Sequence, residues 1–180
     1  MTPSREPTGP VPVVLAIGSN LGDRDANLTG AVAALNAVPG LQVLGRSQVV
    51  ETDPVGGPAG QPTYLNAVLQ CACELSAMEL LWACQEIEAQ FDRSRVVRWG
   101  PRTLDIDIIT YGELVDDDER LTVPHPRAHE RAFVLVPWAQ LDPDAHLPGP
   151  QGGSVATLAA AANDRLGVRP HRRPRRRRMS

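Results

Sequence analysis

From Leu104 to Ile108 apolar and acidic residues alternate strictly, directly after a loop that Gly100-Pro101 keeps from becoming a helix. Successive side chains of a strand point to opposite faces, so Leu104, Ile106 and Ile108 share one face while Asp105 and Asp107 share the other. The stretch predicts a strand with an apolar side and an acidic side. Its two carboxylates stand about 7 Å apart along the backbone, beside a loop that delivers Arg98, Trp99 and Arg102. Hard oxygen ligands next to guanidinium groups suit a magnesium–polyphosphate site, because the metal takes carboxylate and phosphate oxygens and the arginines grip the rest. A D-x-D pair by itself is more commonly the wet face of a sheet. The surrounding segments decide its weight.

Those segments predict one domain over residues 11–166, with a disordered lead-in (1–10) and a disordered Arg-rich tail (167–180). A β-type run from Val11 to Ile17 stops at Gly18-Ser19-Asn20-Leu21-Gly22, and Leu28, Ala31, Val32, Leu35 and Val38 then recur at helical spacing. Leu41–Thr52 reads as a second strand, Asp53–Pro62 as a loop, and Tyr64–Cys71 as a third strand. Ser76-Ala77-Met78-Glu79 is a capping box for a helix carrying Leu80, Cys84, Ile87 and Phe91 on one side. The acidic-and-apolar strand comes fourth. Asp116–Glu119 reads as a solvated loop, Phe133–Leu141 as helix-like, and Ser154–Leu166 as a last helix. The order β-α-β-β-α-β predicts an α+β, ferredoxin-like (split βαβ) fold: a four-stranded antiparallel sheet with helices on one face and the other face free for ligands. That fold carries many functions and proves none.

All 18 basic residues are arginine. Without lysine there is no Walker-type phosphate loop and no Schiff-base chemistry, so arginine, histidine and metal must manage any phosphate charge. Cys71, Cys73 and Cys84 have no histidine at zinc spacing and read as buried thiols of a reducing compartment. No apolar run approaches a membrane span, and a cytoplasmic protein without membrane partners is expected. Residues 1–168 hold 11 arginines against 21 acids, a net of −10, whereas seven arginines and no acid lie between Arg169 and Arg178.

With only seven aromatic residues, their positions carry information. A flat polar heterocycle binds between two aromatic faces while an amide reads its edge. Tyr64 and Asn66 project from one strand face beside the Asp53–Pro62 loop, and Phe133 could supply a second ring. By residue type alone both rings are open to plain core packing.

The string Arg98-Trp99-Gly100-Pro101-Arg102-Thr103-Leu104-Asp105-Ile106-Asp107-Ile108, with Thr122-Val123-Pro124-His125-Pro126-Arg127 downstream, resembles the hydroxymethyldihydropterin pyrophosphokinase family of folate biosynthesis. The likeness runs from Val13 to about Gly149. It implies transfer of pyrophosphate from MgATP to the hydroxymethyl group of 6-hydroxymethyl-7,8-dihydropterin. It also implies two Mg²⁺ ions on Asp105 and Asp107, and ATP as co-substrate. Tyr64 and Phe133 would stack the pterin, Asn66 would bond to it, and the backbone at Thr52 and Val55 would complete its pocket. Arg95, Arg98, Arg102 and His125 take catalytic roles by the same match. Gln85, Glu88, Trp99, Ile108, Arg120, Leu121, Thr122 and Arg131 join Arg95, Arg102 and His125 on the nucleotide side. Two departures stand out: Thr52-Asp53-Pro54-Val55-Gly56 replaces the family's usual Thr-Pro-Pro-Leu-Gly, and Pro126 stands where some members carry an aromatic.

Two other readings remain. The arginine tail and a ligand-bearing sheet would suit an RNA-binding module, but the body is acidic and no K/R-G-F-type aromatic strand is present. A magnesium–ATP site with a different acceptor, such as a nucleoside phosphate, is the other. A monomer with small-molecule partners, ATP and the pterin, is the expectation.

Overall fold

In the computed structural model, which describes residues 9–54, 58–91 and 103–172, the first apolar run is β1 (Val11–Ser19) and the amphipathic segment after it is α1 (Arg24–Asn36). The Asp23 carboxylate caps α1 by accepting from the Ala26 N–H at 3.0 Å. The single strand expected over Leu41–Thr52 is two, β2 (Leu41–Arg46) and β3 (Val50–Thr52). Both pair with β4 (Tyr64–Cys73), and buried Ser47 makes the break between them. Its Oγ accepts from the Val68 N–H at 2.9 Å and its own N–H donates to the Val68 carbonyl, so the ladder is satisfied while the chain turns.

Ser76 and Glu79 form the expected reciprocal cap at the start of α2 (Ala77–Phe91): the Glu79 carboxylate accepts from the Ser76 N–H at 2.8 Å and Ser76 Oγ accepts from the Glu79 N–H at 3.2 Å. The alternating stretch is β5 (Asp105–Tyr111). Asp116–Glu119 is not simply a loop. β6 (Asp116–Asp118) pairs with β7 (Leu121–Val123) in a two-stranded ribbon, although its side chains stay largely in solvent. After α3 (Ala132–Leu141) come β8 (His146–Leu147) and β9 (Gly153–Ser154), paired with each other, then α4 (Val155–Ala161). The helix expected over Ser154–Leu166 ends early because Asn163 and Asp164 favour turn conformations and Asp164 spends its carboxylate on the Ala132 N–H.

The last described strand, β10 (Arg169–Pro170), corrects the domain boundary. It pairs antiparallel with β3, so residues 169–172, expected in a disordered tail, belong to the folded body. Residues 173–180 lie outside the described residues, as does most of the lead-in.

The antiparallel sheet runs β10-β3-β4-β1-β5, with β2 also on β4, giving six strands where four were expected. One face carries Val13, Leu15, Ile17, Ile106 and Ile108 against Leu28, Ala31 and Leu35 of α1 and Leu80, Cys84 and Ile87 of α2. The opposite face is not wholly free. Val14, Val68 and Ile109 are apolar there, and Leu135 and Trp138 of α3 with Val155 of α4 bury them. A bulge in the β1–β5 pairing makes Ile109 the extra residue, so adjacent Ile108 and Ile109 serve different cores. The three cysteines are buried and unpaired, and burial pushes the Cys71 and Cys84 thiols up to about 12. Among the described residues no helix is long and apolar enough to cross a membrane.

Candidate active site

The uncovered part of the second sheet face is shaped by what stands on the central strand. Gly18 of β1 lies opposite Asn66 of β4 and Asp105 of β5, and Ala16 lies opposite Val68 and Asp107. Residues directly opposite share a face, so two small residues sit between larger neighbours and leave a hollow. A cavity of about 670 Å³ occupies it. A Cβ on Gly18 would stand 2.8 Å from Asn66 Oδ1, too close for any other residue without moving the amide. The amide is itself fixed: Asn66 is 7% exposed, and its Nδ2 donates to Thr52 Oγ1 at 3.0 Å.

Thr52 and Tyr64 pair across β3 and β4 on one side of this cavity, and Phe133 lines it from the first turn of α3. Asp105 and Arg131 stand at the same cavity, so a ring-and-amide set and a charged set share one space. The Arg131 guanidinium lies 5.6 Å from the centre of the Phe133 ring and 3.8 Å from Asp107. Burial pulls Arg131 below its ordinary value, Asp107 opposes that, and Arg127 adds repulsion.

His125 follows β7, its N–H bonded to the Ile109 carbonyl at 2.9 Å. Burial, reinforced by Arg131 and Arg127, lowers its ring to about 4, so it is neutral at physiological pH. Nδ1 accepts from the Arg127 N–H at 3.1 Å, which leaves the proton on Nε2. A neutral histidine thus presents one N–H donor.

Among the described residues matched to the nucleotide side, Arg131 lines this cavity and the others do not. Gln85 is exposed on α2, while Arg120, Leu121 and Thr122 lie on the turn and strand of the β6–β7 ribbon, which packs against α2 and β5. Arg120 is held by Asp118 at 3.2 Å. Ile108 is 5% exposed and its side chain packs within the main core. The Glu88 carboxylate accepts from the Ile106 N–H at 2.8 Å, so it braces the strand that carries the two aspartates. Val55, Arg95, Arg98, Trp99 and Arg102 lie outside the described residues.

Asp105 and Asp107 stand two residues apart on β5 as a pair of candidate metal-holding carboxylates, and among the described residues no group of three or more candidate ligands occurs. Magnesium is the ion such a pair could take, because it keeps several waters and binds through one or two carboxylates plus substrate phosphates. Sequence reasoning had no signal for Gly18 as a floor residue, for Gln61, or for Asn163, Asp164 and Val168, which line the cavity from the far end of the chain. Gly18 stood out only as a turn.

The sequence model of the 7,8-dihydro-6-hydroxymethylpterin-pyrophosphokinase (HPPK) family matches residues 14–143. The chain belongs to this family. Among its relatives, the 2-amino-4-hydroxy-6-hydroxymethyldihydropteridine pyrophosphokinase of Methylorubrum extorquens is 44% identical over 154 residues, covering 86% of this chain and 94% of that protein. The Pseudomonas aeruginosa protein of the same name is 43% identical over 149 residues, covering 83% and 90%. Solved structures agree in fold. An HPPK-DHPS crystal structure in complex with substrates superposes with a TM-score of 0.64 at 10% identity, and a Plasmodium falciparum HPPK-DHPS triple mutant with 0.65 at 12%. These matches take in 86% and 87% of this chain but only 43% and 45% of those longer chains. The family match ends before Asn163, so the cavity residues beyond it belong to a segment the family model does not reach.

Proposed function

We propose that this protein transfers the pyrophosphoryl group of ATP to the hydroxymethyl oxygen of 6-hydroxymethyl-7,8-dihydropterin, releasing AMP, as a step of folate biosynthesis. The observation that carries the reading is the convergence of Tyr64, Phe133 and buried Asn66 with Asp105 and Arg131 on one cavity. A flat heterocycle fits the first three and a phosphate chain the last two. The sheet order β5-β1-β4, with β2 and β3 both paired to β4 and α1 and α2 on one face, supports reading the fold as ferredoxin-like. Three unpaired thiols support a reducing, cytoplasmic setting.

The pterin hydroxyl oxygen attacks the β-phosphorus in line. The new O–P bond forms as the bond from the β-phosphorus to the α,β-bridging oxygen breaks, the hydroxyl proton passes to solvent, and AMP departs with the bridging oxygen. Such transfers have loose transition states, so the protein's work is positioning and charge stabilisation. Tyr64, Phe133 and Asn66 orient the pterin. Arg131 faces the phosphates, and the His125 Nε2–H donates to a phosphate oxygen without adding charge. Asp105 and Asp107 would hold two magnesium ions, which when bound supply charge neutralisation along the triphosphate. Arg95, Arg98, Arg102 and Trp99 take the phosphate-gripping and closing roles that the resemblance assigns to their loop.

The test is product analysis with MgATP and the reduced pterin. AMP and a pterin diphosphate are expected; ADP would mean single phosphoryl transfer and overturn the reading. Arg102→Ala should lower the single-turnover rate more than it weakens ATP binding.

A further inference from the structure

The segment after the family match closes the cavity and ties its two sides together. Asn163, Asp164, Gly167 and Val168 all line it. At one end the Asp164 carboxylate accepts from the Ala132 N–H at 3.0 Å, between Arg131 and Phe133. At the other end Arg169 grips Asp53 with two bonds, Nη2 to Oδ1 at 3.1 Å and Nη1 to Oδ2 at 3.2 Å. In the same stretch β10 pairs with β3, placing Arg169 opposite Glu51 beside Thr52. Beyond these contacts His171 is 9% exposed at its side chain, with Nε2 at 3.0 Å from Asp25 and Nδ1 at 3.6 Å from Glu51. Its N–H donates to the Val49 carbonyl at 3.0 Å.

We propose that residues 163–171 form a substrate-positioning strap that fixes the spacing between the Thr52–Asp53 edge and the Phe133 wall, with Arg169 as its positioning residue for the pterin. The inference rests on the pyrophosphokinase reading and deepens it. The pterin pocket needs its ring at Phe133 and its loop at Thr52 held at one fixed separation. Thr52 ends a strand of only three residues, and Phe133 sits in the first turn of a helix in the layer above the sheet. The strap is hydrogen-bonded to the residue next to each, Asp53 and Ala132. Asp53, which departs from the family's usual proline, is the residue Arg169 holds, so the departure and the strap make one device. Arg169 acts through Asp53 and touches no substrate.

The test is a charge swap in the full chain. Because the pair is exposed, Arg169→Asp is expected to raise the pterin KM by about fivefold, while kcat and the ATP KM stay within about twofold. Asp53→Arg combined with Arg169→Asp restores the opposite charges and is expected to bring the pterin KM back to within about twofold of the natural protein. A single variant with an unchanged pterin KM, an equal rise in the ATP KM, or a swap that fails to recover overturns the strap. If the unaltered protein makes no AMP from the pterin, the pyrophosphokinase reading falls first, and the strap's catalytic purpose with it. An Arg169→Asp chain that does not fold is judged by the swapped pair, which must then fold and bind pterin for the proposal to stand.

Discussion

Asp107 stands 3.8 Å from the Arg131 guanidinium on a half-exposed strand face, and neither group is needed to fill the core. Asp107→Ala should therefore leave folding and pterin affinity nearly intact while turnover falls by at least about 10²-fold. Calorimetric pterin binding beside a turnover assay checks it, and lost pterin binding with normal turnover would refute the assignment. Gly18→Ala acts on the other substrate. Its Cβ would press on Asn66 Oδ1 at 2.8 Å, and that amide is already bonded to Thr52, so the expected result is a pterin KM raised by about tenfold, the cost of about one misplaced hydrogen bond. An unchanged KM would mean that Asn66 does not read the pterin. His125 gives a pH prediction. Its folded-state value of about 4 lies below its ordinary 6.5, so between those values the unfolded chain binds a proton that the folded protein excludes. The His125 contribution to stability should fall as pH drops from about 6.5 toward 4 and change no further below, and His125→Gln should flatten the slope in that window in urea melts. A variant with the same pH dependence as the natural protein would contradict it.

At the scale of elements, β5 depends on one brace. Among the described strands it pairs only with β1, and the Ile106 N–H is met instead by Glu88 from α2. Glu88→Ala removes that acceptor and should cost about 1–3 kcal/mol. Because Asp105 and Asp107 flank Ile106, the same change should also lower kcat. Glu88→Gln, which keeps an acceptor oxygen, should recover most of both losses; recovery of stability without recovery of rate would mean that the carboxylate itself is needed at the nucleotide side. The alternation along β5 makes its two faces legible in the sequence alone, and the Ser76–Glu79 cap is equally plain there, because both are local rules of a few residues. The division of β2 from β3 is not legible in that way. It rests on Ser47 reaching across to Val68, a bond between residues 21 apart in the chain.

At the scale of the molecule, α1 and α2 bury the main core, with Leu28, Leu35 and Leu80 fully inaccessible. Leu80→Ala should cost about 2–5 kcal/mol, read as a lower urea midpoint at unchanged slope, while the smaller core under α3 and α4 keeps its packing. An exposed Trp82→Ala change on the same helix should move the midpoint little. The sequence by itself determined the order of the main strands and helices and the acidic and apolar faces of β5, and it named the candidate ring, amide and carboxylate residues, because periodicity, turn chemistry and a long literal string are written along the chain. Only the tertiary structure decided that α3 covers part of the second sheet face, that Gly18 is the floor, that Glu88 is a brace, and that residues from 163 onward return to wall the cavity. Each of those depends on which distant segments meet, and the energy that selects the meeting lies in burial and paired polar groups that no local pattern displays.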